Sequence, residues 1–121
     1  MYSNEINVSD KSRIPVPVGY KLLVAVPKIE EKTAGGIIRP DILRKQEEVA
    51  SIFGCVISVG PSAYDDPNKF PTGPWCKEGD WVVFRSYSGT RLRVEDQEFR
   101  LINDDTVEAV IDDPRGVARA I

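Results

Sequence analysis

Three pairs of adjacent carboxylates, Asp65–Asp66, Asp104–Asp105 and Asp112–Asp113, are the side chains best suited by type to acid–base chemistry. A working carboxylate pair needs surroundings that push its two pKa values apart, so that one member holds a proton while the other stays charged. Here each pair stands beside Pro, Asn or Thr. Such neighbours form solvated turns, and turn acids do not separate in pKa. The chain has no histidine. That removes Ser-His-Asp and Cys-His nucleophiles, the commonest general base, and most zinc sites. Cys55 and Cys76 are the only cysteines, and two at this spacing make neither a disulfide scaffold nor a metal-ligand pattern. They imply reduced thiols and a cytoplasmic protein. Only Lys77 stands beside Cys76 to lower its pKa, so Cys76 reads as a packing residue rather than a reactive thiol.

The stretch with the most specific chemistry is one of recognition, "KTAGGIIRPD" at residues 32–41. Gly35 and Gly36 loosen the backbone, and Ile37 and Ile38 follow directly, between Lys32 and Arg39. Two residue-level readings stand side by side. The isoleucines belong to an ordinary edge strand, or they form an apolar hook on a flexible tether that a partner buries. A second candidate surface lies in residues 61–80, which hold four prolines and the aromatics Tyr64, Phe70 and Trp75. Those rings form either a contact surface or a local cluster that pins an irregular loop.

A length of 121 residues makes one domain. The chain is 41% hydrophobic and 29% charged, with a net charge of −3. A mildly acidic chain without a basic cluster is a poor non-specific nucleic-acid binder, and no apolar run is long enough to span a bilayer. Residues 1–14 read as a polar arm that frays. "YKLLVAV" (20–26) reads as a strand. The segment 28–50 cannot be one helix because of Gly35, Gly36 and Pro40, although Asp41 can cap a short turn of helix reaching about Ala50. "SIFGCVISVG" (51–60) is a strand in which Gly54 marks a bulge or a close backbone approach. "WVVFRSY" (81–87), "RLRV", "EFRLI" and "TVEAVI" follow at short spacing, each separated by a turn signal. Short strands in such a series predict an all-β barrel or sandwich.

The order of these pieces resembles the GroES-type co-chaperonins. "EEKTAGGIIRPD" resembles that family's mobile loop. "VISVGP" (56–61) is similar to its strand and glycine ahead of the dome, "KEGDWVVF" (77–84) to its Gly-Asp turn and strand, and "YSGTRLRVEDQEFRLINDDTVEAVI" (87–111) to its closing meander. The resemblance spans about residues 15–111. It implies an irregular, partly open GroES-like β-barrel over 15–112, with a mobile loop at about 30–49 and a dome segment at about 61–78. A polar arm (1–14) and a C-terminal extension (113–121) flank it. It further implies a heptameric ring that caps a GroEL-type chaperonin and encloses an unfolded client. ATP would be bound by that partner and not by this chain. The cap would be no enzyme and would need no cofactor or metal.

In the same reading, Gly35, Gly36, Ile37, Ile38 and Arg39 bind the chaperonin, and Tyr64, Phe70 and Trp75 belong to the dome. The first strand, near 16–26, is expected to pair with a neighbour's last strand near 107–111. The sequence departs from the family pattern at Arg39, where an aliphatic residue is usual, in about four extra residues after the loop, in the Pro-rich dome segment, and at both ends. Those departures resemble bacteriophage-encoded members. Two other functions remain in view. One is an OB-like barrel for single-stranded nucleic acid, with Trp81, Tyr87 and Phe99 as stacking platforms and Arg85, Arg91, Arg93 and Arg100 along the backbone track. The other is a fragment of a zinc-dependent alcohol dehydrogenase, whose catalytic domain has a GroES-like barrel. That reading lacks zinc ligands and a dinucleotide fold.

Overall fold

The computed structural model of the chain describes residues 8–27, 52–115, 117 and 120. Six strands form one antiparallel sheet in the order β4-β5-β1-β2-β3-β6. They are β1 (Lys21–Ala25), β2 (Phe53–Val59), β3 (Trp81–Phe84), β4 (Thr90–Val94), β5 (Gln97–Asn103) and β6 (Val107–Ile111). A one-turn 3-10 helix at Lys11–Arg13 precedes them, and another at Asp104–Thr106 joins β5 to β6.

The unbroken apolar run of β1 tells which strand is central. Leu22, Leu23 and Val24 are fully buried and Ala25 nearly so, with β2 on one edge and β5 on the other. Successive side chains point to opposite faces. Leu22 and Val24 therefore enter one core with Val56, Val82, Phe84, Ile102 and Val107. Leu23 and Ala25 enter a second with Val8 and Phe99, against which Ile57, Leu92, Val94 and Leu101 pack. The sheet is thus covered on both faces.

It is open but strongly curled. In the strand order β5 and β3 are three places apart, about 14 Å in a flat sheet. Yet the Arg100 guanidinium of β5 lies 4.9 Å from the ring centre of Phe84 on β3. Gly54 lets β2 press close against β1: a Cβ there would stand 2.4 Å from Val24 Cγ1 and 2.6 Å from the Ala25 carbonyl oxygen. Of the two readings of Gly54, the structure shows close approach. The register irregularity of this pair lies further along, between Leu23 and Val24.

Two expectations change. The third strand ends at Phe84 rather than Tyr87, because Tyr87 adopts φ 64 and the Ser88 amide turns back to the Arg85 carbonyl. Residues 8–14 do not fray. Val8 is buried, Asp10 caps the first 3-10 turn, and Ser9 is bonded to the turn after β4. A polar composition hid one well-placed apolar residue.

Candidate partner-binding surfaces

The two candidate surfaces leave opposite ends of the same pair of strands. β1 ends at Ala25, which faces Cys55 near the start of β2. Val26 and Pro27 complete one root of the segment 28–51, and Ile52 the other. Gly35, Gly36, Ile37, Ile38 and Arg39, and the short helix expected from Asp41, lie outside the described residues. Their roots do not. The Val26 amide donates to the Glu98 carbonyl at 3.0 Å, and the Gln97 side-chain amide donates to the Val26 carbonyl at 3.1 Å. On the returning side the Phe84 amide donates to the Ile52 carbonyl at 2.8 Å. Both chain ends are therefore fixed to neighbouring strands, and the segment departs from a stiff platform.

At the other end β2 runs into residues 61–80. This segment contains no regular element, as the prolines require, but it is well anchored. The Gly60 amide donates to the Lys21 carbonyl and the Ser62 amide to the Gly19 carbonyl, both at 2.8 Å. That close approach requires glycine, since a Cβ on Gly60 would lie 2.4 Å from the Gly19 oxygen and 2.8 Å from the Lys21 oxygen. Asp104 is buried and accepts the Tyr64 amide at 3.0 Å, which holds Tyr64 in a left-handed conformation at φ 59. The Asp66 carboxylate accepts the Asn68 and Lys69 amides, and Lys69 bridges to Asp105 at 2.6 Å. These contacts turn two of the three carboxylate pairs into turn and tether groups.

Tyr64, Phe70 and Trp75 come together. Phe70 meets Tyr64 edge-on at 4.9 Å and Trp75 edge-on at 5.0 Å, and Tyr64 and Trp75 stand 5.9 Å apart. Tyr64 and Phe70 are buried in the main core, whereas Trp75 is 42% exposed. Trp75 is therefore the ring of the three that can touch a partner. The Tyr64 hydroxyl lies 3.4 Å from Cys76 Sγ. Burial pushes the Cys76 thiol and the Tyr64 phenol up from their ordinary values. Burial, with Asp80 nearby, does the same to Cys55. Both thiols stay protonated and inert at neutral pH. Among the described residues no group of His, Cys, Asp or Glu is arranged to hold a metal.

The stacking platform for nucleic acid does not assemble. Phe99 and Arg100 are fully buried, Trp81 packs on Phe53 at 5.7 Å, and Arg91 is paired with Glu98 at 2.9 Å. Of the three aromatics Tyr87 is the one left well exposed, while Arg85, Arg91 and Arg93 are exposed without a stacking surface between them. Alternation in β5 places Phe99 and Arg100 on the two covered faces, so neither reaches a ligand. The stretch before β1 belongs to the segment 16–26 expected to pair with a neighbouring subunit, and it is open to solvent. Val16, Val18 and Tyr20 are exposed at alternate positions while Pro17 is buried. Val16 to Tyr20 as an apolar stripe at period two was its available signal.

Residues 15–111 match the family described as the chaperonin 10 kDa subunit. Curated proteins named co-chaperonin GroES are similar along most of their length. The one from Caldicellulosiruptor saccharolyticus is 33% identical over 97 residues, covering 80% of this chain and 96% of the relative. That from Corynebacterium diphtheriae is 33% identical over 96 residues, 79% of this chain and 92% of the relative. That from Solidesulfovibrio magneticus is 35% identical over 96 residues, 79% and 95% of the two chains.

Proposed function

This chain belongs to the chaperonin 10 kDa subunit family and is a co-chaperonin, the partner of a GroEL-type chaperonin, and from that premise we propose that it works as a heptameric ring in the cytoplasm, enclosing an unfolded client without catalysing a reaction of its own. The observation that carries this reading is the polarity of the sheet. The root of the loop candidate sits at the Ala25–Val26 end, and the moored aromatic segment sits at the Gly19–Lys21 end. One end thus serves the chaperonin and the other roofs the chamber.

In this mechanism Ile37 and Ile38 dock in an apolar groove of the chaperonin, with Gly35 and Gly36 supplying the backbone freedom to reach it. Burying an isoleucine stabilises by about 1.5–3 kcal/mol, while ordering each loop residue costs about 1–2 kcal/mol. A single loop binds weakly, and a ring of them binds by avidity. Arg39 lays its aliphatic stem beside the groove and keeps its head in water. Trp75 presents the exposed aromatic surface of the dome to the client.

Ring assembly uses the exposed stretch before β1 and the edge strand β6. β1 itself is flanked on both sides within its own chain. The strand-pairing contact expected over 16–26 is therefore assigned to residues 14–20, with exposed Val16 and Val18. Its counterpart is β6, which among the described residues is an edge strand paired with β3 alone, with Val110 exposed. Such an edge is available for pairing. Native mass measurement of the chain alone, and with a bacterial chaperonin and ATP, tests the whole reading. A heptamer that adds as one unit to the chaperonin supports it. A monomer that never binds refutes it.

A further inference from the structure

The family match begins at residue 15, so residues 8–14 lie outside it, and the structure gives them a definite job. Val8 is 4% exposed and closes the second core over Leu23, Ala25 and Phe99, with Ile14 packed at the other end of the segment. The Ser9 amide and hydroxyl both donate to the Glu95 carboxylate, at 2.7 and 2.8 Å. Glu95 opens the tight turn between β4 and β5 and adopts φ 55. A side chain rarely adopts that left-handed conformation unless something holds it. The two residues immediately past this turn, Gln97 and Glu98, are the ones that hold Val26, through the Gln97 side chain and the Glu98 carbonyl. A continuous chain of contacts therefore runs from Ser9 through Glu95 to Val26, the last residues before the loop candidate.

We propose that residues 8–14 are a strap that clamps the root of the chaperonin-binding loop, and that docking of the strap sets how strongly the loop holds its partner. The strap does not touch the partner. It fixes the β4–β5 turn, the turn fixes Gln97 and Glu98, and these keep Val26 from peeling off the sheet when the loop is under load. A frayed root lengthens the tether and lowers the effective concentration of the docked segment. The binding half of this proposal rests on the loop reading given above; the clamp does not.

The test uses the full-length ring and three changes. Ser9→Ala combined with Glu95→Gly removes the clamp while relieving the left-handed strain, so any effect comes from the lost contact. Val8→Asp lifts the strap from the second core. Ile38→Asp leaves the strap intact and disables the loop. Amide hydrogen exchange is followed at Val26 and, as a reference across the sheet, at Val82. Affinity is measured for an ATP-loaded chaperonin.

The clamp variant is expected to expose the Val26 amide at least tenfold more often, leave Val82 unchanged, and weaken binding at least threefold. Unchanged protection at Val26 overturns the clamp whatever the affinity does. Equal loss at Val26 and Val82 overturns it too, because the strap is then only general stability. Lost protection with unchanged affinity overturns the coupling. If Ile38→Asp binds normally, the loop reading fails separately, and the Val26 result still stands.

Discussion

Replacing Phe70 by alanine distinguishes a moored dome from a loose one. Phe70 is 4% exposed and packs edge-on against Tyr64 and Trp75. Emptying a buried Phe site costs about 3–5 kcal/mol, and the two edge-to-face contacts account for about 1–3 kcal/mol of that. Because the neighbouring prolines and the Tyr64–Asp104 bond hold the walls in place, the cavity collapses little, and a loss of about 4 kcal/mol is expected. Trp75→Ala is the matched control. Its ring is 42% exposed, so the same bookkeeping gives about 1–2 kcal/mol.

Urea unfolding at one protomer concentration measures both, since oligomer stability depends on concentration. Labelling of Cys76 in a Cys55→Ala background reports on the dome alone. Its thiol is buried and protonated, so it reacts only through opening. A loss of about 4 kcal/mol in this segment should speed labelling roughly 800-fold when opening is faster than reaction. A Phe70→Ala ring that loses under about 1 kcal/mol and labels at the parent rate would mean that the aromatics are not a structural cluster. Trp75 could not then be singled out as the ring that faces the client.

Three further outcomes are expected. Arg39→Leu should bind the chaperonin more tightly by about 1 kcal/mol per loop, slowing release of the ring, while Ile38→Asp should abolish capture without changing the melting of the free ring. Gly60→Ala should lower stability by about 3 kcal/mol, at the upper end for overpacking, since its Cβ would meet two backbone oxygens rather than yielding side chains; denaturant midpoints check it. Ser9 holds the Glu95 carboxyl below its ordinary value of 4.5. A depressed carboxylate contributes its stabilisation fully above the ordinary value and loses it as pH falls through the lower folded value. The Ser9 amide resonance should therefore hold steady from neutral pH down to about 5 and shift only below about pH 4.5, and in Glu95→Gln the titration should vanish.

Much of the fold was legible because β-structure writes itself at period two. Leu92 and Val94 alternate with Arg91 and Arg93, and the structure puts the aliphatic pair on the second core and leaves both arginines exposed. The same rule could not foresee Arg100, which occupies a core-facing position on β5 and is 1% exposed. Its place is made by the curl that carries Phe84 beneath it, and curl depends on long-range packing that no local window contains. Gly54 and Gly60 were visible as glycines in or beside a strand, yet only the fold says which backbone approaches them.

That Tyr64, Phe70 and Trp75 act together was legible, but not which of them is buried and which exposed. Asp104, forty residues on, accepts the Tyr64 amide and holds Tyr64 in place; Phe70 packs edge-on against it in the core, and Trp75 is left at the surface. The strap was hidden for the opposite reason. One valine among polar residues carries no periodicity, and its partner, Glu95, lies 86 residues away from Ser9. A polar terminus is therefore weak grounds for disorder whenever the sheet it precedes has an uncovered apolar face. β1 shows how to see that face from sequence. A run such as Leu22-Leu23-Val24-Ala25 demands burial on both sides, so a single layer of strands cannot satisfy it, and something else in the chain must supply the second cover.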